Sequence, residues 1–171
     1  PKDVKALIRT AEQQGYDMRV LKAVEAVNER QKSVLFEKLS RFYRGDLQGR
    51  TVALWGLAFK AETDDMREAT SLVTIARLLD AGCTVRVFDP VAMPECRRRL
   101  GGAVVYARDM YDAVLGADAL LLLTEWKQFR LPSWEVVRRS MNRPVVFDGR
   151  NIYDPAELRS MGFSYASIGR P

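Results

Sequence analysis

From residue 49 onward the chain alternates short apolar runs with amphipathic stretches, and few architectures accommodate that alternation. The runs at 52–55, 85–88, 104–106, 119–123, 145–147 and 165–168 are strand-length, and several are unbroken rather than alternating. Unbroken runs suit strands covered on both faces. Between them, residues 67–81, 93–100, 110–115, 133–140 and 155–161 carry helical spacing. Strand following helix in this order predicts an α/β fold: a doubly wound, Rossmann-like parallel sheet of about six strands with right-handed crossovers.

The first 48 residues read as helix alone. A short helix runs from Pro1, a favourable first-turn residue, to Gly15, a natural stop. A second pattern spans 18–44, with Leu21, Val24, Val27, Gln31, Leu35, Leu39 and Phe42 spaced by threes and fours. As one helix it is roughly 27 residues, or about 40 Å at 1.5 Å per residue. That exceeds what a small domain needs, so the apolar stripe serves either its own domain or a second copy of the chain. Val20, Val34 and Phe36 widen it, and Asn28 and Gln31 beside it would fix a register across such a contact. The expected division is therefore a helical dimerisation segment, 1–48, and an α/β unit, 49–171.

Composition excludes several functions. With 171 residues, 47% of them hydrophobic, the chain holds one full core plus an appendage. No histidine is present, which removes imidazole general bases and Ser/His or Cys/His pairs from this sequence. Cys83 and Cys96 form neither a disulfide framework nor a metal spacing, and free cysteines accord with a reducing cytoplasm. No metal, membrane or nucleic-acid partner is expected. The longest apolar runs are too short to span a bilayer, no signal peptide opens the sequence, and the net charge of +5 is spread along it.

In a doubly wound sheet, ligands sit beyond the carboxyl ends of the strands. The first strand there leads into GLAFK, the second into Asp89-Pro90, the fourth into Thr124-Glu125-Trp126 and the fifth into Asp148-Gly149-Arg150-Asn151. Lys60 and Arg150 thus both stand at strand ends and converge on one anion, a phosphate or pyrophosphate being the natural match. In ETDDMRE, Asp65 and Glu68 have the spacing of a capping box, and Asp64 complements a helix start. Arg67 in a first helical turn opposes the macrodipole, so a ligand or an acid partner is expected to hold it. A dinucleotide fingerprint requires G-x-G-x-x-G after the first strand; here Gly56 is followed by Leu57 and Phe59. Fold and residues alone define an anion-binding α/β domain.

The stretch GLAFKAETDDMREA, followed by VFDP, LLLTEW, FDGRN and SIGR, resembles the C-terminal domain of the UDP-glucose 6-dehydrogenase family. LKAVEAVNERQ is similar to that family's central dimerisation helix, and PKDVKALI to the segment that follows its catalytic cysteine. The AFK, TDDMREA and TEW wording favours UDP-glucose over GDP-mannose or UDP-N-acetyl sugars. The resemblance implies that Phe59, Lys60 and Arg150 contact the UDP-sugar. It also implies that Arg67 reaches the pyrophosphate of an NAD bound mainly by another domain, and that Asp3 helps handle the hydrolytic water. A homodimer through the helix at 18–44 is implied as well. The family's chemistry is two successive hydride transfers to NAD through a thiohemiacetal and a thioester on the cysteine. That cysteine lies two residues before the proline at which this sequence begins, and no glycine-rich NAD segment is present. A fragment of the enzyme without turnover of its own is therefore expected, the alternatives being part of a related dehydrogenase acting on GDP-mannose or a UDP-N-acetyl sugar, or a standalone nucleotide-sugar-binding module that has lost catalysis.

Overall fold

The computed structural model describes residues 2–170. In chain order the elements are α1 (Lys2–Gln13), α2 (Arg19–Gln31), α3 (Val34–Phe42), β1 (Thr51–Trp55), α4 (Thr70–Asp80), β2 (Thr84–Phe88), α5 (Met93–Leu100), β3 (Val105–Tyr106), α6 (Met110–Val114), β4 (Ala119–Leu122), α7 (Trp134–Ser140), β5 (Val145–Asp148), α8 (Pro155–Ser160) and β6 (Ser164–Ser167). The strands form one parallel sheet in the order β3-β2-β1-β4-β5-β6. This is the doubly wound α/β arrangement expected from the alternation of runs.

The period-2 geometry of the strands sorts their side chains onto two cores. Val52, Leu54, Val85, Val87, Leu121 and Phe147 face one cluster with Leu39, Ile75 and Leu78. Ala53, Trp55, Leu120, Leu122 and Val146 face the other with Phe129, Trp134, Val137 and Leu158. The first cluster lies under α3, α4 and α5, and the second under α6, α7 and α8. Trp55 anchors the second, stacked on Phe129 with ring centroids 5.2 Å apart and donating its indole N–H to the Met110 carbonyl at 2.8 Å. Both faces being covered explains why β1, β4 and β5 read as continuous apolar runs.

The 18–44 pattern does not form one helix. The α ladder is interrupted at Lys32–Ser33, where the Ser33 N–H bonds back to the Arg30 carbonyl in a tighter step. The two halves differ in what they bury. In α3, Leu35 and Leu39 are buried in the first core, joined by Tyr43 and Leu47 beyond the helix. In α2 no residue is buried, and Val20, Val24 and Val27 are exposed. Leu35 and Leu39 therefore belong to this chain's own core, while the valines of α2 leave an uncovered stripe. α1 lies against α2, joined by Lys22 to Glu12 and Asp17 and by Lys5 to Glu25.

Candidate functional site

In this strand order the direction of winding reverses between β1 and β4, which opens a crevice at their carboxyl ends. Gly56 occupies that point with φ at 89°. A Cβ there would stand 2.4 Å from Thr124 Cβ, so the close approach of the two strand ends requires glycine. The loop that follows is fixed from three sides. The Thr124 hydroxyl donates to the Ala58 carbonyl at 2.6 Å, and the Ser71 hydroxyl to the Leu57 carbonyl at 2.5 Å. The third is Asp89, buried at the end of β2. Its Oδ2 accepts the N–H groups of Leu57 (2.7 Å) and Ala58 (3.2 Å) and the indole N–H of Trp126 (3.1 Å), while Oδ1 accepts from Val91 and Ala92.

These bonds decide what the loop can hold. In a dinucleotide-binding half the backbone after the first strand cradles the pyrophosphate, and an acid following the second strand binds the ribose. Here two of those N–H groups are spent on Asp89 Oδ2, and its Oδ1 is taken by the Val91 and Ala92 N–H groups. Leu57 is fully buried, and Phe59 projects from the loop with 45% exposure. The Leu57 and Ala58 N–H groups are thus engaged within the fold.

What the sheet offers is a cleft of about 440 Å³ lined by Gln31, Lys32, Phe59, Glu68, Leu123 and Arg150, among others. Arg150 enters it from the turn after β5. Asp148, fully buried, takes the Arg150 N–H on Oδ1 (2.8 Å) and the Ile152 and Tyr153 N–H groups and the Tyr165 hydroxyl on Oδ2. The Arg150 guanidinium pairs side-on with Glu125, Nη2 lying 2.9 Å from Oε1 and Nε contacting Oε2. Asn151, left-handed at φ 55°, bonds through its amide to both the N–H and the carbonyl of Ile168, which fastens the FDGRN turn to the SIGR segment.

Phe59 and Arg150 are thus brought to one cleft. Lys60 is exposed beside them, its Nζ 5.6 Å from the Phe59 ring centroid, and does not itself line the cleft. Arg67 stands apart in a shallow groove with Asp64, Glu95 and Arg99. Asp3 is exposed in the first turn of α1. Two local expectations are corrected. The helix expected from residue 67 starts at Thr70, so Arg67 lies in the preceding turn, where Asp65 holds it by Nε at 2.8 Å and Nη2 at 2.6 Å. No capping box forms either. Glu68, left-handed at φ 60° just before the α4 N-cap Ala69, sends its Oε2 to Lys5 at 2.7 Å and to Lys32 at 3.0 Å, and α4 has no side-chain cap.

That carboxylate ties α1, the α2–α3 break and the loop before α4 into one network, completed by Glu29 on Lys5 and Lys32. Hydrogen bonds from Lys5 and then Lys32 hold the Glu68 carboxyl down at about 2. The cysteines are inert by contrast: burial raises both thiols, Cys96 to about 11. Among the described residues no cluster of metal-ligating side chains occurs, and no helix is long and apolar enough to cross a membrane. Sequence reasoning placed Asp89 at a strand end without its loop-holding role, and set Asn28 and Gln31 beside a dimer stripe, whereas both line the cleft. Lys32 and Glu68 were also missed as partners, since their 36-residue separation has no local signal.

A doubly wound sheet whose switch-point loop is bonded to Asp89, with an arginine-bearing cleft above the strand ends, has the architecture of a nucleotide-binding-type α/β domain. Residues 53–155 match the model of the UDP-glucose/GDP-mannose dehydrogenase family, UDP binding domain. The chain belongs to this family. It is 57% identical to the UDP-glucose 6-dehydrogenase of Pseudomonas aeruginosa over 100% of its own length and 39% of that protein. It is 39% identical to the enzyme of the same name from Rhizobium meliloti, again over 100% of itself and 39% of the relative. Among solved structures it is similar to a UDP-glucose dehydrogenase from Pyrobaculum islandicum, with a TM-score of 0.80 and 33% identity, covering 98% of this chain and 35% of that one. The chain therefore spans little more than a third of the relatives it matches.

Proposed function

We propose that this chain is the nucleotide-sugar-binding and dimerising part of a UDP-glucose 6-dehydrogenase, an enzyme that oxidises UDP-glucose to UDP-glucuronate with two NAD in the cytoplasm. The observation that carries the proposal is Arg150, whose guanidinium lines the cleft beside Phe59 while its backbone is pinned by Asp148. A planar, permanently charged fork at a switch point suits a diphosphate, and the 57% identity to a UDP-glucose 6-dehydrogenase favours uridine over guanosine. In this reading Phe59 packs against the nucleotide sugar, and Lys60, free to swing at the rim, adds a second positive charge. Arg67 reaches from the outer groove toward the pyrophosphate of an NAD held by residues outside this sheet, and Asp3 on α1 orients the hydrolytic water. NAD supplies the hydride acceptor when bound. The part these 171 residues play is to bind and orient the sugar and to present α2 to a second copy.

Two measurements test this. UDP should bind in calorimetry, GDP at least about tenfold more weakly, and Lys60→Ala and Arg150→Ala should each lose about ten- to hundredfold in UDP affinity. Lys127→Ala should not, since Lys127 is a neighbouring charge 90% exposed and paired only loosely with Glu62 at 3.9 Å. Equal affinity in all three variants would refute the site. The 171-residue chain given UDP-glucose and NAD should form no NADH, because neither cysteine is accessible and the Leu57 and Ala58 N–H groups are engaged by Asp89. Turnover above blank would refute that part.

A further inference from the structure

An arginine that binds a diphosphate through one geometry must be kept in that geometry, and this cleft contains the means. Arg150 has two donor edges: Nε with one terminal nitrogen, and the two terminal nitrogens together. Glu125 accepts Nη2 on Oε1 in a hydrogen bond, and its buried Oε2, with no hydrogen-bond partner among the described residues, lies in ion-pair contact with Nε. Among the described residues nothing takes Nη1, so the end-on edge keeps its donors. Arg150 lines the cleft and Glu125 stands outside that lining.

Both ends of the pair are anchored in the backbone. Glu125 sits between Thr124, whose hydroxyl bonds the Ala58 carbonyl, and Trp126, buried with its indole on Asp89. Arg150 follows Gly149, whose N–H bonds the Leu122 carbonyl, and its own N–H is held by Asp148. What remains free in the arginine is the rotation of its side chain, which the Nη2–Oε1 hydrogen bond and the Nε–Oε2 ion-pair contact together restrict. Glu125 is also the better buried partner, its side chain 28% exposed against 41% for Arg150. The same device recurs at Arg67, held through Nε and Nη2 by Asp65.

We propose that Glu125 is a positioning residue for the anion site: it holds Arg150 by its side edge so that the end-on edge of the guanidinium meets the diphosphate. The inference rests on the nucleotide-sugar reading above and assigns a role to the glutamate of the TEW motif. Its negative charge, taken alone, would oppose an anion. The proposal is that fixing the fork outweighs this, with Lys60 at the rim adding positive charge.

The test separates positioning from mere folding. UDP and uridine are titrated by ligand-observed NMR into the unaltered protein and into Glu125→Ala, Glu125→Gln, Arg150→Ala and the Glu125→Ala/Arg150→Ala pair, with melting temperature as the folding control. Glu125→Ala should weaken UDP about tenfold and leave uridine unchanged. Glu125→Gln, which keeps one acceptor for the guanidinium, should fall between and guards against a misfolded alanine variant. In the Arg150→Ala background the glutamate change should cost nothing further. UDP affinity that is unchanged or stronger in Glu125→Ala and Glu125→Gln overturns the proposal, as does an equal loss with and without Arg150. Undiminished UDP binding by Arg150→Ala would instead remove the anion site itself, and the inference with it.

Discussion

Gly149 lies against Leu35: a Cβ on the glycine would stand 2.8 Å from Leu35 Cδ1 and 2.7 Å from the Leu122 carbonyl oxygen. The turn that delivers Arg150 is thus seated directly beneath α3, and the close fit needs a residue without a side chain. Fold and site meet here, since the helix that caps the first core also walls the cleft through Leu35.

Gly149→Ala should therefore disturb both. The leucine methyl can rotate away, but the Leu122 carbonyl is backbone in the middle of the sheet and cannot. Overpacking of this kind costs about 1–3 kcal/mol, read as a lower urea midpoint, and UDP affinity should fall with it. Gly101→Ala is the control, because a Cβ there meets nothing within 4 Å; its positive φ of 53° costs only local strain away from the cleft. Equal UDP affinity in the two variants would show that the contact does not govern the cleft.

The two halves of the 18–44 pattern should respond in opposite ways. Leu39→Ala empties a fully buried position and should cost about 2–5 kcal/mol of stability. Val24→Asp, on the exposed stripe of α2, should leave the urea midpoint nearly unchanged but halve the mass in sedimentation if the stripe pairs two copies. A dimer that survives Val24→Asp and Val20→Asp together would mean that copies associate elsewhere.

The architecture was legible because the runs around Val52, Leu120 and Val146 are strand-length and unbroken, and every expected strand and helix of the α/β unit appears within a few residues. The break at Lys32–Ser33 was not. The apolar spacing of threes and fours continues through it, and the Lys32–Glu68 pair found there joins residues distant in sequence. The misplaced capping box has the same origin: D-x-x-E is a local signal, and the long-range pull of Lys5 and Lys32 on Glu68 outcompetes it. Strand ends pointed to Arg150 and Lys60 through topology alone. That Asp89 holds the β1 loop follows only from the pairing of β1 with β2, which aligns Trp55 with Phe88.

Asp89→Asn tests that role. The carboxylate receives five donors from three chain segments. An amide in its place turns one acceptor into a donor facing other donors, leaving buried N–H groups unmatched at about 1–3 kcal/mol each. A loss of about 3 kcal/mol in urea unfolding is expected, with the slope unchanged. A loss below about 1 kcal/mol would show that the loop holds itself.

The last expectation concerns acid. Glu68 is held at about 2 in the folded chain by Lys5 and Lys32, against about 4.3 for an unconstrained glutamate. Its folded value is depressed, so the stabilisation is complete above about pH 5 and is lost as pH falls toward 2. Glu29 is also lowered, by the hydrogen bond from Lys32 first and then that from Lys5 against an opposing effect of burial, and moves in the same direction. The network is largely exposed, the Glu68 side chain being 40% accessible, so the effect is modest and screened by salt. Between pH 6 and pH 3 the amides of α1 should lose hydrogen-exchange protection before those of β1 and β4, because α1 is tied to the sheet unit through this carboxylate. Glu68→Gln should produce that early loss already at pH 6 and lower the melting temperature there by about 2 °C. Its own fall between pH 6 and pH 3 should be shallower than that of the unaltered chain, and 0.5 M salt should narrow the gap between them. If α1 in Glu68→Gln stays as protected at pH 6 as in the unaltered chain, its attachment rests on the apolar contacts of α1 with α2 and not on this ion network.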